Sequence, residues 1–163
     1  MSDLPSPNRL VKVVLDKASI ERGTPDQEHE RATAVYDLIE DNSFALPGGH
    51  EGPYLLSIGM LNQRLVFEIR SEAGDHIVTH GLSLSPFRRV IKDYFMICES
   101  YYAAIRTASA VQIEAIDMGR RGVHNEAADI VIERLKDKVS IDFQTARRLF
   151  TLIMALSWTG RET

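Results

Sequence analysis

Cysteine is almost missing from this sequence. Cys98 is the single thiol among 163 residues, so no disulfide can close within the chain, as suits a reducing cytoplasm. Long apolar runs are missing too. The longest, "LFTLIMALSW", is far shorter than the roughly 20 residues that span a bilayer. The opening "MSDLPSPN" has neither a basic start nor an apolar centre, so it does not read as a signal peptide. Neither HExxH nor Cys-x-x-Cys occurs, and "GGHEG" lacks the lysine and the strand–loop–helix setting of a phosphate loop.

Strong positive charge is also lacking. The net charge is -4, and bulk nucleic-acid binding, which needs a basic face, is not expected. The charge is unevenly spread. Residues 1–80 hold 7 Lys/Arg against 13 Asp/Glu, and residues 81–163 hold 12 against 10, so any local basic patch belongs to the second half. What is present fits a folded domain: 44% apolar residues can build a core, and 26% charged residues is ordinary.

Local patterns predict an α+β fold. A small, mainly antiparallel sheet of about four or five strands is backed by four or five helices, and the C-terminal half is helical. Residues 1–8 read as a flexible tail ahead of a single domain over residues 9–160. "RLVKVVLD" (9–16) reads as a strand with Val11, Val13 and Leu15 on one face. Thr24 and Gln27 form a capping box that starts a helix running to about Asp41. "YLLSIGM", "RLVFEIR" and "HIVTHGL", parted by short polar turns, read as an antiparallel meander. Ser85 is placed to cap a long helix, and "SAVQ" (109–112) is a second capping box, opening a helix to Arg121. A further helix is expected over 126–138, and a last, mostly apolar one after Asp142.

The densest polar stretch is "DMGRRGVHNEAAD", residues 117–129. Gly122 is placed to end a helix in the left-handed conformation, with Val123 against Met118 in a Schellman motif. Asn125 is placed to cap the next helix, with Glu126 and Asp129 at its positive end. Helix grammar leaves His124 and the doubled arginine unexplained. On this reading Arg120, Arg121, His124 and the free N–H groups of a new helix meet at one corner, which attracts phosphate or carboxylate.

The chain also resembles a known family. "LIEDNSFALPGGHEGPY", "LSLSPFRRVIKDYFMICESYYAAIR", "IEAIDMGRRGVHNEAADIVIERL" and "DFQTARRLFTLI" are similar to the alphaproteobacterial family catalogued as uncharacterised protein family 0262. The resemblance covers nearly all of the chain after the tail. It implies a small cytoplasmic bacterial protein of one domain, and it carries across no activity, cofactor or partner.

Other candidate chemistry is thinner. Arginine pairs recur at 88–89, 120–121 and 147–148, either as ion pairs tying helices together or as parts of a ligand pocket. His76 and His80, four apart on a strand, are separated by about 13 Å, too far to share one zinc. Cys98 and Tyr94, on one helical stripe, read as core. Helical ribonucleases of the HEPN type separate their Arg and His by four or more residues; Arg120 and His124 are separated by three, so the spacing misses.

Two functions follow. The first is a cytoplasmic binding or regulatory module. Arg88, Arg120, Arg121, His124 and Asn125 would form its recognition corner for a protein partner or an anionic small molecule. The second is an enzyme on phosphoesters or RNA, with His124 as acid/base and Arg120 and Arg121 stabilising negative charge. Neither needs a metal or cofactor. On the first reading His124→Ala scarcely changes affinity; on the second it abolishes turnover. Trp158 and its apolar neighbours offer a surface for homo-oligomer formation.

Overall fold

The computed structural model describes residues 6–157. Strand β1 (Leu10–Leu15) leads into helix α1 (Pro25–Glu40) and the two-residue strand β2 (Phe44–Ala45). The meander β3 (Tyr54–Leu61), β4 (Arg64–Ser71) and β5 (His76–Ser83) follows. A 3₁₀ turn at Ser85–Phe87 enters α2 (Arg88–Ala104), and then come α3 (Ala110–Leu135), β6 (Ser140–Ile141) and α4 (Phe143–Ser157). The main sheet has the order β1-β3-β4-β5, antiparallel except that β1 lies parallel to β3 through the α1 crossover. The fold is the α+β class expected, with four helices.

Alternation along the meander makes one face of the sheet apolar. Tyr54, Leu56, Ile58, Leu65, Phe67, Ile69 and Leu82 are all buried there. In β1 the core face is carried by Leu10 and Val13 rather than by Val11 and Val13. An irregularity between Leu10 and Lys12 sets two β1 residues against one of β3, which reverses the side-chain alternation behind it. His76 and His80 do not act together either: His76 reaches Thr79 at 2.8 Å, whereas His80 stands opposite Phe67.

The helices lie in the order α1, α4, α3, α2, each packed on the next. Both expected capping boxes are present, Thr24 with Gln27 and Ser109 with Gln112. Asp142 Oδ1 accepts from Thr145 N at 2.8 Å and starts α4. Ser85 does not cap α2: the wholly buried Phe87 and the fixed φ of Pro86 make a 3₁₀ turn there, and α2 begins only at Arg88. β2 pairs with β6, joining the end of α1 to the start of α4. Asn42 Oδ1 accepts from Leu10 N at 2.7 Å, and Phe44 N donates to Asn8 O at 2.9 Å, so residue 8 is tied to the body of the protein.

The expected break at Gly122 does not occur. α3 is one helix of 26 residues that passes through Gly122, and Asn125 is an exposed interior residue instead of a cap. A helical glycine costs only about 1 kcal/mol. Downstream, Ala127, Ala128, Val131 and Leu135 are buried on one face, and upstream Asp117 pairs with both Arg120 and Arg121 across a turn. That burial exceeds the glycine penalty. The Schellman contact of Val123 with Met118 is therefore absent, and Met118 is exposed.

The far end of the α2–α3 hairpin leaves Met96, Tyr102, Ile105, Val111 and Met118 exposed. No helix among the described residues is long and apolar enough to cross a membrane. The self-association surface expected at Trp158 lies outside the described residues.

Candidate functional site

α2, α3 and α4 enclose a cavity of about 270 Å³ lined by Tyr94, Arg120, Arg121, His124, Arg147 and Thr151. Because α3 is continuous, Arg120 and His124 are four residues apart on one helical face and both point into it. The same continuity removes the helix N-terminus expected at Asn125, so its N–H groups offer nothing to a ligand. Charge in the cavity comes from side chains alone.

His124 is buried, and its hydrogen bonds fix its state. Arg147 Nε donates to Nδ1 at 3.0 Å. A guanidinium cannot accept, so Nδ1 carries no proton. Nε2 lies 3.1 Å from Thr151 Oγ1, and that hydroxyl donates to Arg147 O at 3.1 Å. The hydroxyl hydrogen is thus in use, and Nε2–H is the donor to Thr151. Arg147, His124 and Thr151 close a ring of hydrogen bonds around a neutral imidazole. Burial, then the charges of Arg147 and Arg120, push the His124 pKa down to about 4.

Aromatic rings form the floor. Tyr94 and Phe150 stand with ring centroids 5.5 Å from that of His124. Burial, followed by its neighbour Cys98, pushes the Tyr94 hydroxyl up to about 12, so it remains a neutral group. Burial likewise raises the Cys98 thiol, which disfavours the nucleophilic thiolate.

The cations are unequally compensated. Arg120 and Arg121 share the one carboxylate of Asp117, and the Arg120 guanidinium also lies 4.8 Å from the centre of the Tyr101 ring. Arg147 makes no salt bridge among the described residues; its partners are His124 and, at 3.5 Å, Gln144. Three guanidiniums therefore face the cavity against a single paired carboxylate.

Of the residues expected at the corner, Arg120, Arg121 and His124 come together. Arg88 does not join them: it reaches Gln63 in the β3–β4 turn at 2.8 Å. Asn125 does not line the cavity either. The other arginine pairs divide in the same way. Arg89 binds Asp93 and Glu126, and Arg148 binds Asp41, so one member of each pair ties elements together. Tyr94, Arg147 and Thr151 were not foreseen as lining residues. Arg147 and Thr151, four apart on a largely apolar helix, were the available signal. Among the described residues, no three of His, Cys, Asp and Glu are grouped to hold a metal ion.

Fold and cavity together define a helix-rich α+β protein with a cationic cleft between three helices. The chain belongs to the uncharacterised protein family UPF0262, which it matches over residues 7–159. It is similar to a UPF0262 protein of Azorhizobium caulinodans, 65% identical over 98% of this chain and 100% of that one. The UPF0262 protein of Methylobacterium radiotolerans is 64% identical over 94% of this chain and 96% of its own length. One from Rhodopseudomonas palustris (strain BisB5) is 61% identical, covering 95% of each. No solved structure matches.

Proposed function

We propose that this protein is a cytoplasmic binding module that takes up a small phosphate- or carboxylate-bearing molecule in the cleft between α2, α3 and α4. The observation that carries this reading is the Arg147–His124 hydrogen bond. A guanidinium is usually held in place by a carboxylate, which cancels its charge. Here a neutral imidazole holds it, so Arg147 is oriented and its charge remains available to an incoming anion. Arg120 and Arg121 flank the same space, and the Nε2–H donor of His124 is already occupied by Thr151.

That occupancy weighs against the enzymatic reading. A general base needs a free lone pair, and a general acid needs a transferable proton near neutral pH. His124 has its lone pair on Arg147 and its proton on Thr151, and its pKa is lowered to about 4.

Calorimetric titration with inorganic phosphate, and separately with citrate, at low ionic strength tests the reading. Saturable binding is expected for one of these anions. Arg147→Ala and Arg120→Glu/Arg121→Glu should each weaken it roughly tenfold or more, since charge-assisted hydrogen bonds are the strong ones. His124→Ala should weaken it several-fold because Arg147 loses its tether, which replaces the near-neutral effect expected before the hydrogen bond was known. Absence of binding by both anions would overturn the proposal.

A further inference from the structure

Resting on that reading, we infer that the molecule taken up is an anion carrying an apolar tail, bound along α4 with its head at Arg147 and its tail over Ala155. A second cavity, of about 360 Å³, adjoins the cationic one and is lined by residues of α1, α2 and α4. The two share Thr151, while the neighbours Tyr94 and Phe95 on α2 each face one of them. Arg147, Thr151, Met154 and Ala155 follow one another at helical spacing, so a single stripe of α4 floors both. From Arg147 to Ala155 that stripe is about 12 Å long at 1.5 Å per residue.

The chemistry of the stripe changes along its length. At one end are Arg120, Arg121 and Arg147. In the middle of the second cavity the walls are Ala34, Phe95, Met154 and Ala155. Beyond them, on α1, stand the carboxylates of Glu30 and Asp37. These repel an anionic head and attract none, so a charged ligand can lie in one direction only. A small inorganic anion fills the first cavity and leaves the apolar walls wet. An attached chain or ring covers them, and each methylene so buried strengthens binding about fourfold. An acyl-type chain and an aromatic ring share this chemistry.

Three phosphates separate the possibilities: inorganic phosphate, n-octyl phosphate and 1-naphthyl phosphate, titrated into the full chain. At least one tailed phosphate is expected to bind tenfold or more tighter than inorganic phosphate, and whichever gains more identifies chain or ring. Thr33→Trp and His29→Trp, at exposed positions of α1 facing the second cavity, should each remove that gain and leave inorganic phosphate binding unchanged. Arg147→Ala should weaken all three. If inorganic phosphate binds and neither tail adds affinity, or if the gain survives both tryptophans in variants with wild-type thermal unfolding, this inference is wrong and the anion site stands. If none of the three binds, both fail.

Discussion

Arg147 on α4 donates through Nε to Nδ1 of His124 on α3, 3.0 Å away, and the two residues are 23 positions apart in the chain. This bond fixes the tautomer of the imidazole and the direction of the guanidinium together. It also ties the acid sensitivity of the protein to the geometry of its cleft.

The first prediction follows from the sign of the His124 shift. Its pKa falls from 6.5 to about 4 on folding, chiefly through burial. Between those values the unfolded chain binds a proton that the folded chain does not, so stability increases with pH across this window. The contribution is complete above about pH 6.5 and is lost as the pH falls towards 4. Allowing for solvent on the cavity side of the ring, the loss is on the order of 1–2 kcal/mol. Thermal unfolding of wild type and His124→Gln between pH 7 and 4 checks it. The wild-type midpoint should fall by a few degrees more than that of the variant, and parallel curves would reject the assignment.

The second prediction concerns the continuity of α3. Gly122 lies in the helix interior, with nothing within 4 Å of the place a Cβ would take. Gly122→Ala should therefore stabilise the protein by about 0.5–1 kcal/mol, since alanine is the better helix former. The midpoint should rise by roughly 1–4 °C. A helix ending at Gly122 in the left-handed conformation would give the opposite result, because alanine is strained there.

The third prediction lies at the other end of the molecule. A Cβ on Gly52 would sit 1.9 Å from the carbonyl oxygen of Pro7 and 2.7 Å from the Tyr54 ring. The backbone at residue 7 cannot yield without releasing Arg9 and β1, because Arg9 N donates to Pro7 O and Tyr54 N to Arg9 O. Gly52→Ala should cost about 1–3 kcal/mol, the range for overpacking. Chemical denaturation would show a lowered midpoint with an unchanged slope, whereas a wild-type midpoint would mean that residues 7–9 are not held against Gly52.

Much of the architecture was legible because it rests on local chemistry. Thr24 and Ser109 cap their helices through side chains three residues away, and the meander alternates with period two. These signals need no distant partner. Gly122 was misread for the complementary reason. Glycine is compatible with a helix end and with a helix interior, and the burial of Ala127, Ala128, Val131 and Leu135 against other elements decides between them. The Ser85 cap failed similarly, since Phe87 is fixed by the core beneath it.

The candidate site divides along the same line. Its α3 members, Arg120, Arg121 and His124, could be named from one stretch of sequence, because four residues of helix place them within reach of one another. Arg147 and Thr151 could not be placed there, nor Arg88 and Asn125 excluded, until α4 was seen to pack on α3. Sequence by itself determined which residues could carry charge and which segments would coil or pleat, since those depend on neighbours a few bonds away. Only the tertiary structure decided that one arginine of each pair faces a partner element and that Arg147 meets an imidazole rather than a carboxylate, because packing of elements far apart in the chain sets those distances.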